Sequence, residues 1–181
     1  MGQLWCGRAL TIATRSQLPL ACAPLLHSPR TAMHIRTATP TDADTLAPLF
    51  DAYRQFYGQA PDLAGARRFI AERLARGESV VLLALDAAGS AAGFCQLYPT
   101  YCSVEAAPTY TLYDLFVTPD ARRSGAGRRL LLAAHATAQR DGMVRMDLTT
   151  AHTNTAAQAL YESLGWTQDT VFRAYSKRVG A

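Results

Sequence analysis

The chain of 181 residues is long enough for about one domain, and its 49% hydrophobic and 18% charged residues suit a packed core. No apolar run reaches the ~18 residues of a membrane-spanning helix, so no membrane partner is expected. The formal charge of +4 collects at one end: Arg8, Arg15 and Arg30 fall in the first 32 residues, which hold no acid, and the body carries 15 basic against 14 acidic residues. So neutral a body lacks the basic stripe that a nucleic-acid partner requires.

In chain order, residues 1–32 come first, free of acids and rich in Arg, Ser, Thr and Ala, a bias that transit peptides share. Prolines interrupt the apolar stretch LPLACAPLL, and Met33 opens MHIRTATPTDADTLAPLF, which reads as a domain start. Residues 1–32 are therefore expected to be a disordered leader or an extension produced by a start assigned too early, with the domain over 33–181. Cys6, Cys22, Cys95 and Cys102 show neither CxxC nor Cys/His spacing. That pattern predicts no metal site and no disulfide framework, with a reduced, cytoplasmic setting as the default.

His34 to Thr39 alternates and predicts a short strand. Thr41, Asp42 and Asp44 then form a cap with acids in the first turn, favoured at the positive end of a helix dipole. Behind it Leu46, Leu49, Phe50, Tyr53, Phe56 and Tyr57 recur at helical spacing until Gly58. A second helix over 62–76 places Phe69, Ile70 and Leu74 on one face and closes at Gly77. SVVLLAL reads as a buried strand, DAAGSAAG as a hairpin turn, GFCQLYP as the returning strand, and YTLYDLFV as another, stopped by Pro119. A helix over 122–140, a strand VRMDLTT, a helix over 154–164 ended by Gly165 and a final strand TVFRAYSKRV complete the order. The early meander implies antiparallel pairing and the later strand–helix alternation implies parallel pairing, which together give a mixed α/β sheet.

Between strand and helix lies Arg122-Arg123-Ser124-Gly125-Ala126-Gly127-Arg128. Glycines let backbone amides approach a ligand, and the free N–H groups and dipole of a helix start favour a phosphate. The turn lacks the third glycine of a dinucleotide fingerprint and the Gly-Lys-Ser/Thr of a nucleotide P-loop. Read alone, it is an anion site or a basic loop.

Arg122-x-x-Gly125-x-Gly127, preceded by LFVTPDA and followed by RRLLLAA, resembles the acyl-CoA binding motif of the GNAT superfamily of N-acetyltransferases. Downstream, NTAAQALYESLGW resembles that superfamily's second signature, and IRTATPTDADTL its opening strand and helix. The resemblance runs from about Met33 to Val179. It implies an α/β fold with a mixed, mostly antiparallel sheet, a splayed parallel strand pair and helices on both faces. It also implies acetyl-CoA as donor, with coenzyme A as product, and acetylation of a primary amine by direct attack in a ternary complex.

The resemblance assigns residues as well. The pyrophosphate falls to Arg122, Arg123, Ser124, Gly125, Ala126, Gly127 and Arg128, and the pantetheine and acetyl carbonyl to backbone amides around Leu115, Phe116 and Val117. Tyr161 is the acid that protonates the departing thiolate, and Asn154 caps its helix or bonds the cofactor. Asp114 is the general base or binds a cationic acceptor, since a buried strand acid is costly unless it has a partner. Glu105 is a weaker second acid, and Tyr53, Tyr57, Tyr98 and Tyr101 are pocket-lining candidates. LYDLFV is similar to the matching strand of diamine acetyltransferases, and the subgroup resemblance covers diamine, amino-acid and histone-acetyltransferase-like enzymes. A small-molecule amine is the expected acceptor. The alternatives are a protein or peptide N-acetyltransferase and a non-catalytic acyl-CoA sensor, and a homodimer through C-terminal strand edges is open.

Overall fold

The computed structural model describes residues 33–180, so the expectation for residues 1–32 lies outside the described residues. Strand β1 (His34–Thr37) leads through a 3-10 turn at Pro40–Asp42 into helix α1 (Ala43–Phe56). The junction is held by Asp42, which accepts from the Thr39 backbone at 2.7 Å and the Thr39 hydroxyl at 3.0 Å, and takes the Arg36 guanidinium in a fork at 2.8 and 2.6 Å. Those donors hold its carboxyl far below the usual carboxylate range.

Helix α2 (Leu63–Arg76) starts on Asp62, whose carboxylate accepts from Gly65 N–H at 2.8 Å, and ends on Gly77 in the left-handed region at φ 62°. The two helices are tied by Asp51 of α1. This buried carboxylate accepts from the Asp62 backbone and from Gln55 Nε2, both at 2.9 Å.

Strands β2 (Val80–Leu85), β3 (Ala91–Cys102) and β4 (Ala107–Val117) form an antiparallel meander beside β1, and β5 (Arg145–Asp147) joins β4 in parallel, in the order β1-β2-β3-β4-β5. Helices α1 and α2 cover one face, burying Leu46, Ile70, Leu83, Phe94 and Phe116. Helix α3 (Ala126–Arg140) covers the other over Leu82, Cys95, Leu97, Leu130 and Ala134. A central strand covered on both faces has no polar side, which is why VVLLAL is apolar throughout. Each such large side chain, fully buried, contributes roughly 1.5–3 kcal/mol. The short helix α4 (Thr155–Glu162) packs its Leu160 against the start of α3.

Two irregularities in β4 matter most. Gln96 faces Asp114 but Leu97 faces Leu112, so Tyr113 is an extra residue opposite none. That bulge breaks the two-residue alternation and turns Tyr113 and Asp114 towards the same face. Second, β5 pairs only with Thr109, Tyr110 and Thr111, so β4 from Leu112 onward has an open edge on that side.

The sheet is the mixed, mostly antiparallel one expected, with its parallel pair splayed after three residues. Three local expectations change. The strand expected over 144–150 shortens to three residues. Helix α3 begins at Ala126, because Arg122 is extended and Arg123 and Gly125 are left-handed, at φ 61° and 90°. No strand forms over 170–179. The segment has high strand propensity, yet Val171, Phe172, Tyr175 and Val179 stand 79–98% exposed with no ladder partner, and propensity without pairing does not make a strand.

Candidate active site

On the α3 side of the sheet the site is made of backbone. Thr118 N–H donates to Ala92 C=O at 2.9 Å. Antiparallel alternation then turns the Phe116 amide onto β3 and leaves the Leu115 and Val117 amides pointing to the open edge. Two of the three expected amides are thus available there. Gly93 makes this geometry possible: a Cβ on it would lie 2.5 Å from Phe116 O and 3.1 Å from Val117 Cα.

The turn at 122–127 sits beyond the end of that edge. Ser124 Oγ donates to Ala121 C=O at 2.7 Å and accepts from Ala126 N–H at 3.3 Å, while Arg129 N–H closes the first helical bond onto Gly125 C=O. Among the described residues, the N–H groups of Gly125, Gly127 and Arg128 have no protein acceptor. Arg122, Arg123 and Arg128 are exposed, and no carboxylate among the described residues lies within ion-pair distance of them. Arg122 Nε instead donates to Val117 C=O at 3.3 Å, and Arg128 to Ser163 Oγ at 3.3 Å. A Cβ on Gly127 would meet the Leu160 side chain at 3.4 Å, close to ordinary contact. Free amides, guanidiniums without a carboxylate partner and a helix start together can hold a polyanionic ligand such as a pyrophosphate.

Tyr161, on α4, is half-buried and stacks obliquely on Trp166 at 6.0 Å. Burial, with Tyr57 and Cys95 nearby, pushes its hydroxyl up to about 12, so it keeps its proton at neutral pH and has it to donate. Asn154 occupies the N-cap position of α4 but makes no side-chain cap; its amide donates to Thr150 Oγ1 at 3.3 Å, a correction to the capping expectation. Cys95 is fully buried between the two halves, and desolvation, reinforced by Asp114, raises its thiol far above its usual range.

On the α1/α2 side the site is made of side chains. A cavity of about 580 Å³ lies between α1, α2, β3 and β4, with Asp114 in its wall. Six rings line it: Phe50, Tyr53, Tyr57, Phe69, Tyr98 and Tyr113. Phe69 stacks on Phe50 at 5.1 Å, Tyr53 meets Tyr57 edge-on at 5.1 Å, and Tyr98 meets Tyr113 edge-on at 5.7 Å. Asp114 is 4% exposed; desolvation raises its carboxyl to about 6, against the lowering effect of the Tyr53 hydroxyl. That hydroxyl lies between two acceptors, reaching the Asp114 carboxyl and donating to Tyr113 C=O at 3.2 Å. Below, the Gln96 side chain is fully buried, with its amide on Tyr98 Oη and its Oε1 without a partner.

The structure thus brings together Tyr53, Tyr57, Tyr98 and Asp114, and sets Tyr161 near Tyr57. It leaves two candidates outside. Glu105 sits in the β3–β4 turn with its carboxylate tied to Arg145 at 2.8 Å, and Tyr101 is 80% exposed beyond the cavity. Phe50, Phe69, Arg54 and Tyr113 line the cavity without having been singled out from the sequence. Helical spacing had placed Phe50 and Phe69 as core, and only the bulge turns Tyr113 inward.

Comparison with known proteins agrees with this geometry. Residues 46–166 match the profile of the Acetyltransferase (GNAT) family. An uncharacterised N-acetyltransferase of Bacillus subtilis, YhfO, is 48% identical over 149 residues, covering 82% of this chain and 99% of its own. The [ribosomal protein bS18]-alanine N-acetyltransferase of Escherichia coli is 40% identical over 65 residues, 36% of this chain and 44% of its own. Among solved structures, a probable acetyltransferase superposes with a TM-score of 0.77 at 39% identity over 82% of this chain and 99% of its own. The fold is also that of the aminoglycoside N-acetyltransferase AAC(6')-Iy in complex with CoA, at a TM-score of 0.69, 22% identity, and coverage of 82% and 96%.

Proposed function

The chain belongs to the GNAT acetyltransferase family, and from that premise we propose that it moves the acetyl group of acetyl-CoA to the primary amine of a small molecule, by direct attack in a ternary complex, as a cytoplasmic enzyme. One observation carries the reading. On a single strand, β4, two free amides face an open edge that ends at an anion-binding turn, while the bulge turns Asp114 into an aromatic cavity beside that edge.

Acetyl-CoA supplies, when bound, an acyl group already activated as a thioester. The turn at 122–128 would hold its pyrophosphate through the Gly125, Gly127 and Arg128 amides and the arginine side chains. The Leu115 and Val117 amides would hold the pantetheine arm and draw charge onto the acetyl oxygen, at roughly 3 kcal/mol per well-aimed donor. Asp114 takes the proton that an ammonium must shed before its nitrogen can attack, and a carboxyl poised near 6 is ionised at pH 7 and still basic enough to accept it. The Tyr161 hydroxyl, neutral throughout, gives its proton to the sulfur as the carbon–sulfur bond breaks. The buried, protonated Cys95 is not suited to carry the acyl group, in keeping with direct transfer.

A protein acceptor, suggested by the 65-residue similarity to the ribosomal-protein enzyme, would have to present an amine at the end of a slender chain to fit a cavity of about 580 Å³. The test is coenzyme A release from acetyl-CoA by the full chain against pooled amines, amino acids, aminoglycosides and peptides. Release with a small-amine pool is the expected result. Release only with peptides would shift the acceptor to proteins. None with any pool, while acetyl-CoA still raises the melting temperature, would favour a non-catalytic acyl-CoA sensor.

A further inference from the structure

The cavity described above has an unusual charge inventory. Its wall holds one carboxylate, Asp114, and one guanidinium, Arg54. The other charged groups packed around it are already engaged. Asp51 accepts from Asp62 N–H and Gln55 and forms a 3.6 Å ion pair with Arg54 itself. Arg73 stands 4.8 Å over the Phe69 ring and is paired with Glu72 and Glu78. Arg54 Nη1 is buried with no hydrogen-bond partner, and its charge is met only by the loose ion pair with Asp51 at 3.6 Å. The rest of the lining is aromatic, and much of it is bare: Tyr57 is 51% exposed and Tyr113 69%. Large aromatic faces left exposed around one concave mouth mark where an apolar ligand is meant to cover them.

We infer that the acceptor is an amine with a single positive charge on an apolar, preferably aromatic, body, and that Arg54 excludes amines carrying a second charge. This rests on the acetyl-transfer reading above and narrows it. An ammonium beside Asp114 has one full counter-charge and tyrosine faces on which to settle, and a cation held over such rings is stabilised further. A flat apolar body then stacks against Phe50, Phe69 and the tyrosines, where it removes ring surface from water. A second ammonium finds no second carboxylate. It must lose its hydration beside the rings and face Arg54, and both effects oppose it. Diamines, polyamines and aminoglycosides are therefore poor acceptors, a departure from the diamine enzymes that LYDLFV resembles.

The test compares kcat/KM for 2-phenylethylamine, butylamine, 1,4-diaminobutane, spermidine and kanamycin with the full chain and acetyl-CoA. The expected order puts 2-phenylethylamine first, at least about tenfold above 1,4-diaminobutane, a margin worth about 1.4 kcal/mol. Arg54→Glu should raise the ratio of diamine to monoamine by about tenfold or more. Should that variant fold poorly, inhibition of the unaltered protein serves instead. Benzyltrimethylammonium should compete with the amine, and a bis-quaternary of similar length should compete at least about tenfold more weakly. A diamine or kanamycin used as well as 2-phenylethylamine would overturn this inference and leave acetyl transfer standing. No coenzyme A release with any amine, despite acetyl-CoA binding, would overturn acetyl transfer and this inference with it.

Discussion

On the proposed function, the open edge and the covered face of one strand meet two recognition problems by opposite means. Along its open edge, β4 and the turn after it offer backbone: the amides of Leu115, Val117, Gly125, Gly127 and Arg128. On the α1/α2 face the same strand offers side chains, Tyr113 and Asp114, which gain meaning only beside Tyr53, Phe69 and Tyr98 from three other elements. Backbone chemistry is the same for every residue, so a donor shared by a whole family suits it. Side-chain chemistry varies position by position, so the acceptor side is where such a fold can change its substrate. If these assignments hold, the donor half should tolerate substitution wherever the backbone path survives, while the acceptor half should depend on individual groups.

Asp114→Asn should break the comparison most sharply. With the base gone, kcat/KM at pH 7.5 should fall by about 10²–10⁴, while acetyl-CoA binding, held on the other face, should be nearly unchanged. Stability should move the opposite way. Folding raises this carboxyl from 3.8 to about 6, so the native state pays nothing below pH 4, loses stability progressively between pH 4 and 6, and carries the full penalty above that window. The penalty corresponds to about 3 kcal/mol, and the variant should recover up to that much at pH 8 and none at pH 3.5. Urea denaturation at the two pH values checks the sign.

Gly93→Val should damage both halves at once, because a Cβ at 2.5 Å from Phe116 O pushes β4 away from β3. A loss of about 3 kcal/mol or more in denaturant melts is expected, with weaker binding of acetyl-CoA and amine alike. Tyr161→Phe sharpens the division: kcat should drop about 10- to 100-fold with the KM for acetyl-CoA held, since only the proton on its hydroxyl is lost. Arg123→Ala should have the smallest effect, a severalfold rise in the KM for acetyl-CoA at low salt that shrinks at high salt, as expected for an exposed charge.

The turn proposed for the donor was legible in the sequence because it is a backbone feature. A backbone path needs glycines at fixed places, and Gly125 and Gly127 stand in the chain to be read. Asp114 was legible as an acid in an otherwise apolar strand. The acceptor half was not, because its residues are far apart in sequence and each looks ordinary where it stands. Phe69 has the spacing of a core residue, Arg54 is a lone charge at the margin of the apolar face of α1, four residues from Phe50, and Tyr113 has the parity that would point it away from Asp114. The bulge that overrides this parity leaves no mark in LYDLFV, since it depends on how many residues β3 sets against β4. The final strand failed for a related reason. TVFRAYSKRV has the composition of a strand, and composition does not supply the neighbour that a strand must pair with.

The most direct test of the account is the pH profile of kcat/KM for the amine, at saturating acetyl-CoA, in the unaltered protein and in Asp114→Asn. The account predicts an acidic limb with a midpoint near 6 that rises to a plateau in the unaltered protein, and in the variant a profile at least about a hundredfold lower at neutral pH, without that limb, that climbs only at high pH as solvent deprotonates the amine. An unaltered limb, or neutral-pH activity within a few-fold of the original in the variant, would show that Asp114 does not take the proton and that the aromatic cavity is not where the amine reacts.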